Sequence, residues 1–492
     1  MKNPSANSAR LSLPRWFSFL ALLIAFALLR FSLGPPLVPA FTWLFPVFMM
    51  MWVRSNRASW GLVLGWILTI LAVAIIALPA AGVWGGTLTC WMIAGIAGSL
   101  LLLPFAVDRL VSHRLAGIPS TLVFPLAWVT VEFLRSFHPY LGTVFVLAVT
   151  QFDSPLITQI SSVTGIWAIT FLVAWLAPVV YLALENRFEW SSVARPVSLF
   201  LVVLVAVLCF GGMRLGLARP DAPTVRVAGV TASSWDGTLE SGVSLLSTYV
   251  PQAAAAGARI VVTHEGGVFI GVEDEAALIG VGQELAQQED VYLLLGLLVI
   301  DEGRSLPREN KVVFIGPDGE FLSEYTKQRL TPVEVGNTIR GEGPVPVVET
   351  PYGDIATIIC NDALFPDFVR RKVGGRGVDI LLVPAADLPY AEHIWSHFMA
   401  FRAIENGFAM LRIAREGLTL AVDHQGRTLV QSNYFLNDQP VIYADLPTEG
   451  VDTLYSLLGD WFAWLSIAGF VVLLAMAIVK RAPKEEQQSE GS

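Results

Sequence analysis

The sequence predicts two linked folds: a polytopic α-helical membrane domain of about eight spans, and an extracytoplasmic α/β domain inserted before the last of them. Three observations carry this reading. The 492-residue chain is 54% hydrophobic with a mean hydropathy of +0.60, too apolar for a soluble protein of this length. Seven apolar runs of membrane-spanning length precede residue 215 and an eighth closes the chain, with about 245 residues of ordinary composition between. The basic residues gather in alternate loops.

The runs cover about 16–33, 37–53, 59–80, 84–107, 118–136, 162–184, 196–213 and 461–479. Lys2, Arg10 and Arg15 give the first the flank of a signal peptide, but the close succession of further spans makes it a retained anchor. Basic residues follow the second span (Arg54, Arg57), the fourth (Arg109, Arg114), the sixth (Arg187, Arg195) and the eighth (Lys480, Arg481, Lys484). The loops near 34–36, 81–83 and 137–161 contain none. This bias puts both termini in the cytoplasm and the long segment outside, tethered at both ends. The expected division is a membrane domain at 1–217, a catalytic-type domain at 218–450, a linker and last helix at 451–480, and a polar tail at 481–492.

Charge follows the same division. Residues 1–217 carry 12 basic and 5 acidic side chains and residues 461–492 balance 3 against 3, so the total of −9 leaves −16 on 218–460. Such a segment repels nucleic acid and anionic headgroups through its general field. It meets the bilayer through apolar contacts and its flanking helices. Glu132 and Arg135 lie one turn apart in the fifth run, and ionisable groups inside a span are candidates for function; an ion pair or a snorkelling Arg is the plainer alternative. The loop 137–161, with Gln151 and Gln159, is apolar enough to lie at the outer membrane surface beside the soluble segment.

Within that segment, runs at 225–231, 258–263, 291–300, 311–316, 354–360, 378–384 and 408–414 read as strands. The stretches 240–256, 274–288 and 391–406 read as helices, which together make a layered α/β domain. Cys360 is the lone cysteine here; Cys90 and Cys209 fall in or beside apolar spans. It ends the run Asp354–Cys360 ahead of a turn, a place that suits a nucleophile as well as an inert core thiol. Glu265 follows the run 258–263 and Lys327 comes after the turn Pro317–Gly319, each unremarked alone. Carboxylate, ammonium and thiol together make a set for acyl transfer: base, oxyanion partner and nucleophile. His393 and His397 stand four apart on a predicted helix, but no zinc motif accompanies them and no metal is expected.

The order Glu265, Lys327, Cys360, its strand context and the stretch Phe401–Gly407 resemble the nitrilase, or carbon–nitrogen hydrolase, superfamily. That resemblance implies an αββα sandwich with a Glu-Lys-Cys triad. The eight spans narrow it to the apolipoprotein N-acyltransferase family, whose pattern is similar at Phe124–Trp128, Glu132–Arg135, Gln151, Gln159 and Gly165. Asn310, Pro317–Gly319, Leu330–Pro332 and Asp423–Arg427 follow it too. The resemblance implies a fatty-acyl chain passing from a membrane phospholipid, through a thioester on Cys360, to the amine of a diacylglyceryl-cysteine lipoprotein. It also implies a bacterial plasma (inner) membrane with the catalytic domain on its periplasmic side. No metal or organic cofactor and no nucleic acid is called for.

The chain departs from the family pattern in several places. Thr263-His264 stands for Trp-Pro before the glutamate, and Asn361-Asp362 for Tyr-Glu after the cysteine. Val335 occupies the position of an expected acid, with Glu334 one residue early. Arg415-Glu416-Gly417 replaces Asn-Thr-Gly, and Trp235 stands for a substrate-site tryptophan. Three alternatives stay open: an acyltransferase with a different amine acceptor, a membrane-tethered nitrilase-like amidase, and a non-catalytic binding domain.

Overall fold

The computed structural model describes residues 14–34, 37–81, 86–217, 222–387, 394–437 and 439–479. The flanking charges Lys2, Arg10, Lys480, Arg481 and Lys484, the tail and His393 therefore lie outside the described residues.

Among the described residues, seven helices are long and apolar enough to cross a membrane: Arg15–Leu33, Ala58–Ala77, Thr87–Arg114, Ile118–Ser136, Trp167–Glu185, Trp190–Gly216 and Trp461–Val479. The expected second span forms the helix Pro39–Ser55, which at 17 residues is the shortest of the long apolar helices. It buries Met49 to Val53 against its neighbours. The run at 162–184 is split: a short helix Ser161–Thr164 ends at Gly165, and the long helix begins at Trp167. Gly165 is required there, with φ of +64° and the Tyr455 ring 2.6 Å from where a Cβ would sit.

Thirteen strands form among the described residues: β1 (Thr224–Val230), β2 (Ile260–Thr263), β3 (Val268–Gly271), β4 (Tyr292–Ile300), β5 (Arg308–Ile315) and β6 (Phe321–Thr326). After them come β7 (Val347–Thr350), β8 (Gly353–Thr357), β9 (Ile380–Ala386), β10 (Ala409–Arg415), β11 (Leu418–Val422), β12 (Thr428–Asn433) and β13 (Val441–Pro447). One sheet runs β13-β1-β2-β4-β5-β6 with β3 beside β4; the other runs β12-β11-β10-β9-β8-β7. Each has a parallel centre (β1, β2, β4 and β8, β9, β10) flanked by antiparallel strands.

Period-2 alternation sets the layers. Val225, Val227, Ile260, Val262, Leu294, Val312 and Phe314 face the second sheet. Ala228, Val230, Val261, Leu293, Leu295, Val313 and Ile315 face the opposite way, under the helices Leu239–Ala255 and Glu275–Glu289. The second sheet is covered by the helix Ile394–Asn406. The result is the αββα sandwich of the nitrilase fold, inserted before the last membrane helix.

The two halves share one apolar core. It runs without a break from Trp128, Phe133, Val146 and Trp167 to Phe398, Phe401 and the inner faces of both sheets. Several polar groups buried along this joint pair across it. Ile166 N donates to Glu405 Oε1 at 3.1 Å, Trp167 Nε1 to Asp460 Oδ1 at 2.7 Å, and Gln159 Nε2 to Gln425 O at 2.9 Å. Arg402 faces Glu405 at 3.0 Å with both side chains fully buried. Burial raises the Glu405 carboxyl to about 7, against the pull of Arg402.

Removing one member of a buried pair leaves the other uncompensated, at about 3–5 kcal/mol. Arg402→Met is expected to lower thermal stability by that order at pH 8 and by less at pH 6, where Glu405 can take a proton. Thermal unfolding of the full chain in detergent at both pH values checks this; equal losses would contradict it.

Candidate active site

Three loops from two sheets converge. Glu265 lies two residues past β2, Lys327 directly follows β6, and Cys360 lies three residues past β8. The last position corrects the sequence reading, in which Cys360 ends its strand. Ladder pairing stops at Thr357, and Cys360 opens the short 3₁₀ turn Cys360–Leu364 with a left-handed φ of +44°. Such a backbone is costly for a non-glycine residue and persists only where its surroundings hold it.

Asp362 is what holds it. Its fully buried carboxylate accepts from Tyr325 OH at 2.7 Å, Arg329 N at 2.7 Å and Ile359 N at 3.0 Å. Burial nevertheless raises it to about 6. Asn361 Nδ2 donates to Arg329 O at 3.0 Å, tying the turn to the loop that carries Lys327. Both residues after the cysteine thus brace the backbone.

The Lys327 ammonium is buried between two carboxylates. Nζ donates to Glu265 Oε1 at 2.6 Å and to Glu334 Oε1 at 2.8 Å. Burial alone would lower it, but Glu265 and Glu334 outweigh burial and hold it raised well above its ordinary value. Glu334 reaches this place from one position before the expected one, its other oxygen held by Thr331 N at 2.7 Å and Thr331 Oγ1 at 2.8 Å. Burial raises the Glu334 carboxyl, and Lys327 more than reverses that, leaving it low.

Two partners of Glu265 had no role in the sequence reading, although Asn310 was named there as following the family pattern. Asn310 Nδ2 bridges Glu265 Oε1 at 2.7 Å and Glu334 Oε1 at 3.1 Å; it stands among Arg308, Glu309 and Lys311 at the start of β5, so its polarity did not single it out. Ala386 N donates to Glu265 Oε2 at 2.9 Å while Ala386 O lies 4.0 Å from Cys360 Sγ. No side-chain pattern marks a backbone contact of this kind. Burial pushes the Cys360 thiol up, Glu265 adds to it, and Lys327 and Arg412 oppose it. Arg412 is itself held by Asp387, at 2.8 and 2.5 Å.

The remaining candidates fall in three places. Trp235 is half exposed, with the Arg415 guanidinium 4.0 Å over its ring. Glu132 is buried in the membrane half, accepting from Trp128 Nε1 at 2.8 Å, Leu147 N at 2.9 Å and Thr170 Oγ1 at 2.8 Å. Arg135 donates to Val144 O at 2.5 Å. Both line an apolar cavity of about 120 Å³ that reaches Phe145 and Trp395. The loop 137–161 packs on the sandwich rather than merely beside it. Thr143 N and Oγ1 donate to Leu364 O at 3.0 and 2.9 Å, and a Cβ on Gly142 would lie 2.6 Å from that same oxygen. His397 stacks on Phe152 with centroids 4.5 Å apart.

His264 is buried behind Glu265. Its Nδ1 donates to the Glu265 carbonyl at 2.8 Å, so Nε2 is the acceptor for Ser233 Oγ at 2.7 Å and the ring is neutral. Burial lowers it to about 4. A depressed histidine contributes stability that is present above its unfolded pKa near 6.5 and lost as pH falls toward about 4, on the order of 3 kcal/mol. Asp362 has the opposite sign: its raised pKa penalises the ionised form, a cost relieved as pH falls from about 6 to its unfolded value near 4. The two oppose each other over the same window. Between pH 7 and pH 4, His264→Gln is expected to gain stability relative to wild type and Asp362→Asn to lose it. Thermal unfolding against pH reads both slopes, and parallel slopes for the two variants would refute the pairing.

Comparison with known proteins agrees with this architecture. The pattern described as Carbon-nitrogen hydrolase matches residues 226–455, and that described as Apolipoprotein N-acyltransferase N-terminal domain matches residues 15–179. An apolipoprotein N-acyltransferase of Geobacter metallireducens is 26% identical over 78% of this chain and 79% of its own. One of Haemophilus influenzae is 23% identical over 80% of each. The crystal structure of an amidase from Nesterenkonia sp. is similar over 48% of this chain and 94% of its own, at 21% identity and a TM-score of 0.39. With both characteristic domains on one chain, in that order, the protein belongs to the apolipoprotein N-acyltransferase family of the carbon–nitrogen hydrolase superfamily.

Proposed function

We propose that the protein transfers a fatty-acyl chain from a membrane phospholipid to the N-terminal amine of a diacylglyceryl-cysteine lipoprotein. The observation that carries this reading is the Lys327 ammonium held between Glu265 and Glu334 beside a buried thiol, in a sandwich that shares its core with membrane helices. The names of the relatives support the same substrates.

In this mechanism Glu265, steered by Ala386 N and Asn310, takes the Cys360 proton as Sγ attacks the ester carbonyl. Lys327 has three N–H groups; two are given to Glu265 and Glu334, which leaves one for the tetrahedral oxyanion. Collapse forms the thioester, breaks the C–O bond, and returns the proton to the leaving alkoxide, so a lysophospholipid departs. The acceptor's α-amine, with a pKa of about 8, then attacks the thioester. Its surplus proton passes through Glu265 to the departing thiolate, giving an amide and restoring the thiol. A buried thiol kept protonated suits this order, since Cys360 ionises only as the ester arrives.

The alternating basic loops support a placement with both termini in the cytoplasm and the sandwich on the outer, periplasmic side of a bacterial plasma membrane. We assign residues 1–217 to the membrane domain, 218–450 to the catalytic domain, 451–480 to the closing helix with its linker, and 481–492 to the tail.

Intact-mass measurement of the protein incubated with phospholipid vesicles tests the first half-reaction. One added fatty-acyl mass, removed by hydroxylamine and missing in Cys360→Ala, is expected. Glu265→Gln and Lys327→Met are expected to slow its appearance by about 10²–10³-fold. No adduct on the wild-type protein would sink the proposal.

A further inference from the structure

We propose that the face formed by the helix Pro366–Lys372, the turn Gly374–Arg376 and the short helix Leu454–Leu458 is a docking surface for anionic phospholipid, held as a bound lipid and not as acyl donor. The inference goes beyond the acyltransferase reading and does not depend on it. It rests on where this face sits against the long apolar helices.

Position comes first. The helix Pro366–Lys372 starts two residues after Leu364, whose carbonyl accepts from Thr143 in the loop that follows the apolar helix Ile118–Ser136. Its last turn carries Arg370, whose Nε lies 2.8 Å from where a Cβ on Gly459 would sit. Gly459 stands two residues ahead of Trp461, where the closing apolar helix begins. Those two apolar helices pack on each other, with the Phe133 and Trp464 ring centroids 5.1 Å apart. The helix Pro366–Lys372 therefore rests over the adjoining ends of two helices long and apolar enough to cross a bilayer, at the level where headgroups lie.

Charge and apolar exposure coincide there. Over residues 363–378 Arg370, Arg371, Lys372 and Arg376 stand against one acid, Asp367, although the segment 218–460 carries −16. Asp367 Oδ1 lies 2.6 Å from Arg371 Nε and 3.9 Å from Arg370 Nη2, so one charge is matched and three are not. Arg371 keeps 66% of its side chain open, and Arg376 is exposed. Lys372 Nζ donates to Gly343 O at 2.7 Å and Arg376 Nη1 to Val345 O at 2.5 Å, neutral acceptors that hold both cations in place without cancelling them. Beside the turn Gly374–Arg376 packs the helix Leu454–Leu458, which leaves Leu457 71% and Leu458 60% exposed as the chain runs into its closing helix. Open leucines bordered by cations suit a headgroup layer, where the apolar side chains enter the acyl boundary and Lys and Arg meet the phosphates. A free phosphate would use the cations and leave the leucines in water; an anionic lipid uses both.

The test titrates the full-length protein in detergent with phosphatidylglycerol or phosphatidylcholine whose chains are ether-linked, so that Cys360 has no ester to attack. Native mass spectrometry reads the lipid retained per protein. Wild type is expected to keep one tightly held phosphatidylglycerol that the variant Arg371→Gln/Lys372→Gln/Arg376→Gln lacks, and no matching phosphatidylcholine. Arg371→Gln alone is expected to weaken that lipid about fivefold, the contribution of one cation at an anionic surface. Arg226→Gln/Arg259→Gln/Arg304→Gln removes the same charge from exposed places elsewhere on the sandwich and is expected to bind like wild type. Lipid held by the basic loops of the membrane half, or in the acyl-donor site, is common to all four proteins. Equal phosphatidylglycerol retention by wild type and the first triple variant would overturn the surface. So would equal wild-type retention of both lipids, or the same loss in the second triple variant. Failure of the thioester experiment would leave these outcomes unchanged, since no acyl transfer enters them.

Discussion

A fully buried ammonium is the constraint from which this site is built. Lys327 has 2% of its side chain exposed, and a cation so placed is tolerable only with carboxylates in direct contact. Two are supplied, from loops that follow different strands, and Asn310 bridges them. Once Glu265 is committed to Lys327 through one oxygen, its other oxygen is free to reach Ala386 N in the opposite sheet. The same alanine's carbonyl is the neighbour of the thiol. Neutralising one charge therefore fixes the spacing of both sheets at their open end.

The turn that bears the thiol shows a second economy of charge. Asp362 gathers three donors from three segments, Tyr325 in β6, Arg329 after Lys327, and Ile359 just before the turn. The lysine loop and the cysteine turn are consequently one mechanical unit. A left-handed residue sits in that unit without other support in the backbone ladder, which ended three residues earlier. Replacing a longer acid with Asp362 shortens the reach toward any substrate and suits the inward bracing seen here.

Much of this was legible in the residues. The interior strands β1, β4, β5, β9 and β10 announce themselves as β-branched or leucine-rich runs, because both of their faces are buried. The strands β6, β7 and β12 do not, since they are half exposed and carry polar alternation that a loop shares. Glu265, Lys327 and Cys360 were legible through resemblance and strand context, and the structure brings their loops together. Ala386 was invisible because its contribution is a peptide group. Glu334 was ambiguous because it stands one position before the expected acid, and only its bonds to Thr331 and Lys327 show that its carboxylate reaches the site. The apolar loop 137–161 was read as lying beside the sandwich, and its packing on Leu364 follows from a glycine whose close approach no hydropathy pattern encodes.

The Leu364 carbonyl is where the two halves of the molecule cease to be separable. Leu364 is four positions from the thiol in the chain, and its carbonyl accepts from both N and Oγ1 of Thr143, a residue of the membrane half. An excised sandwich would lose that bond and expose the face of Phe398 and Phe401 that now packs on Phe145 and Phe152. The nitrilase fold here is thus a dependent lobe, and the turn that carries Cys360 is completed by the loop between two of the long apolar helices.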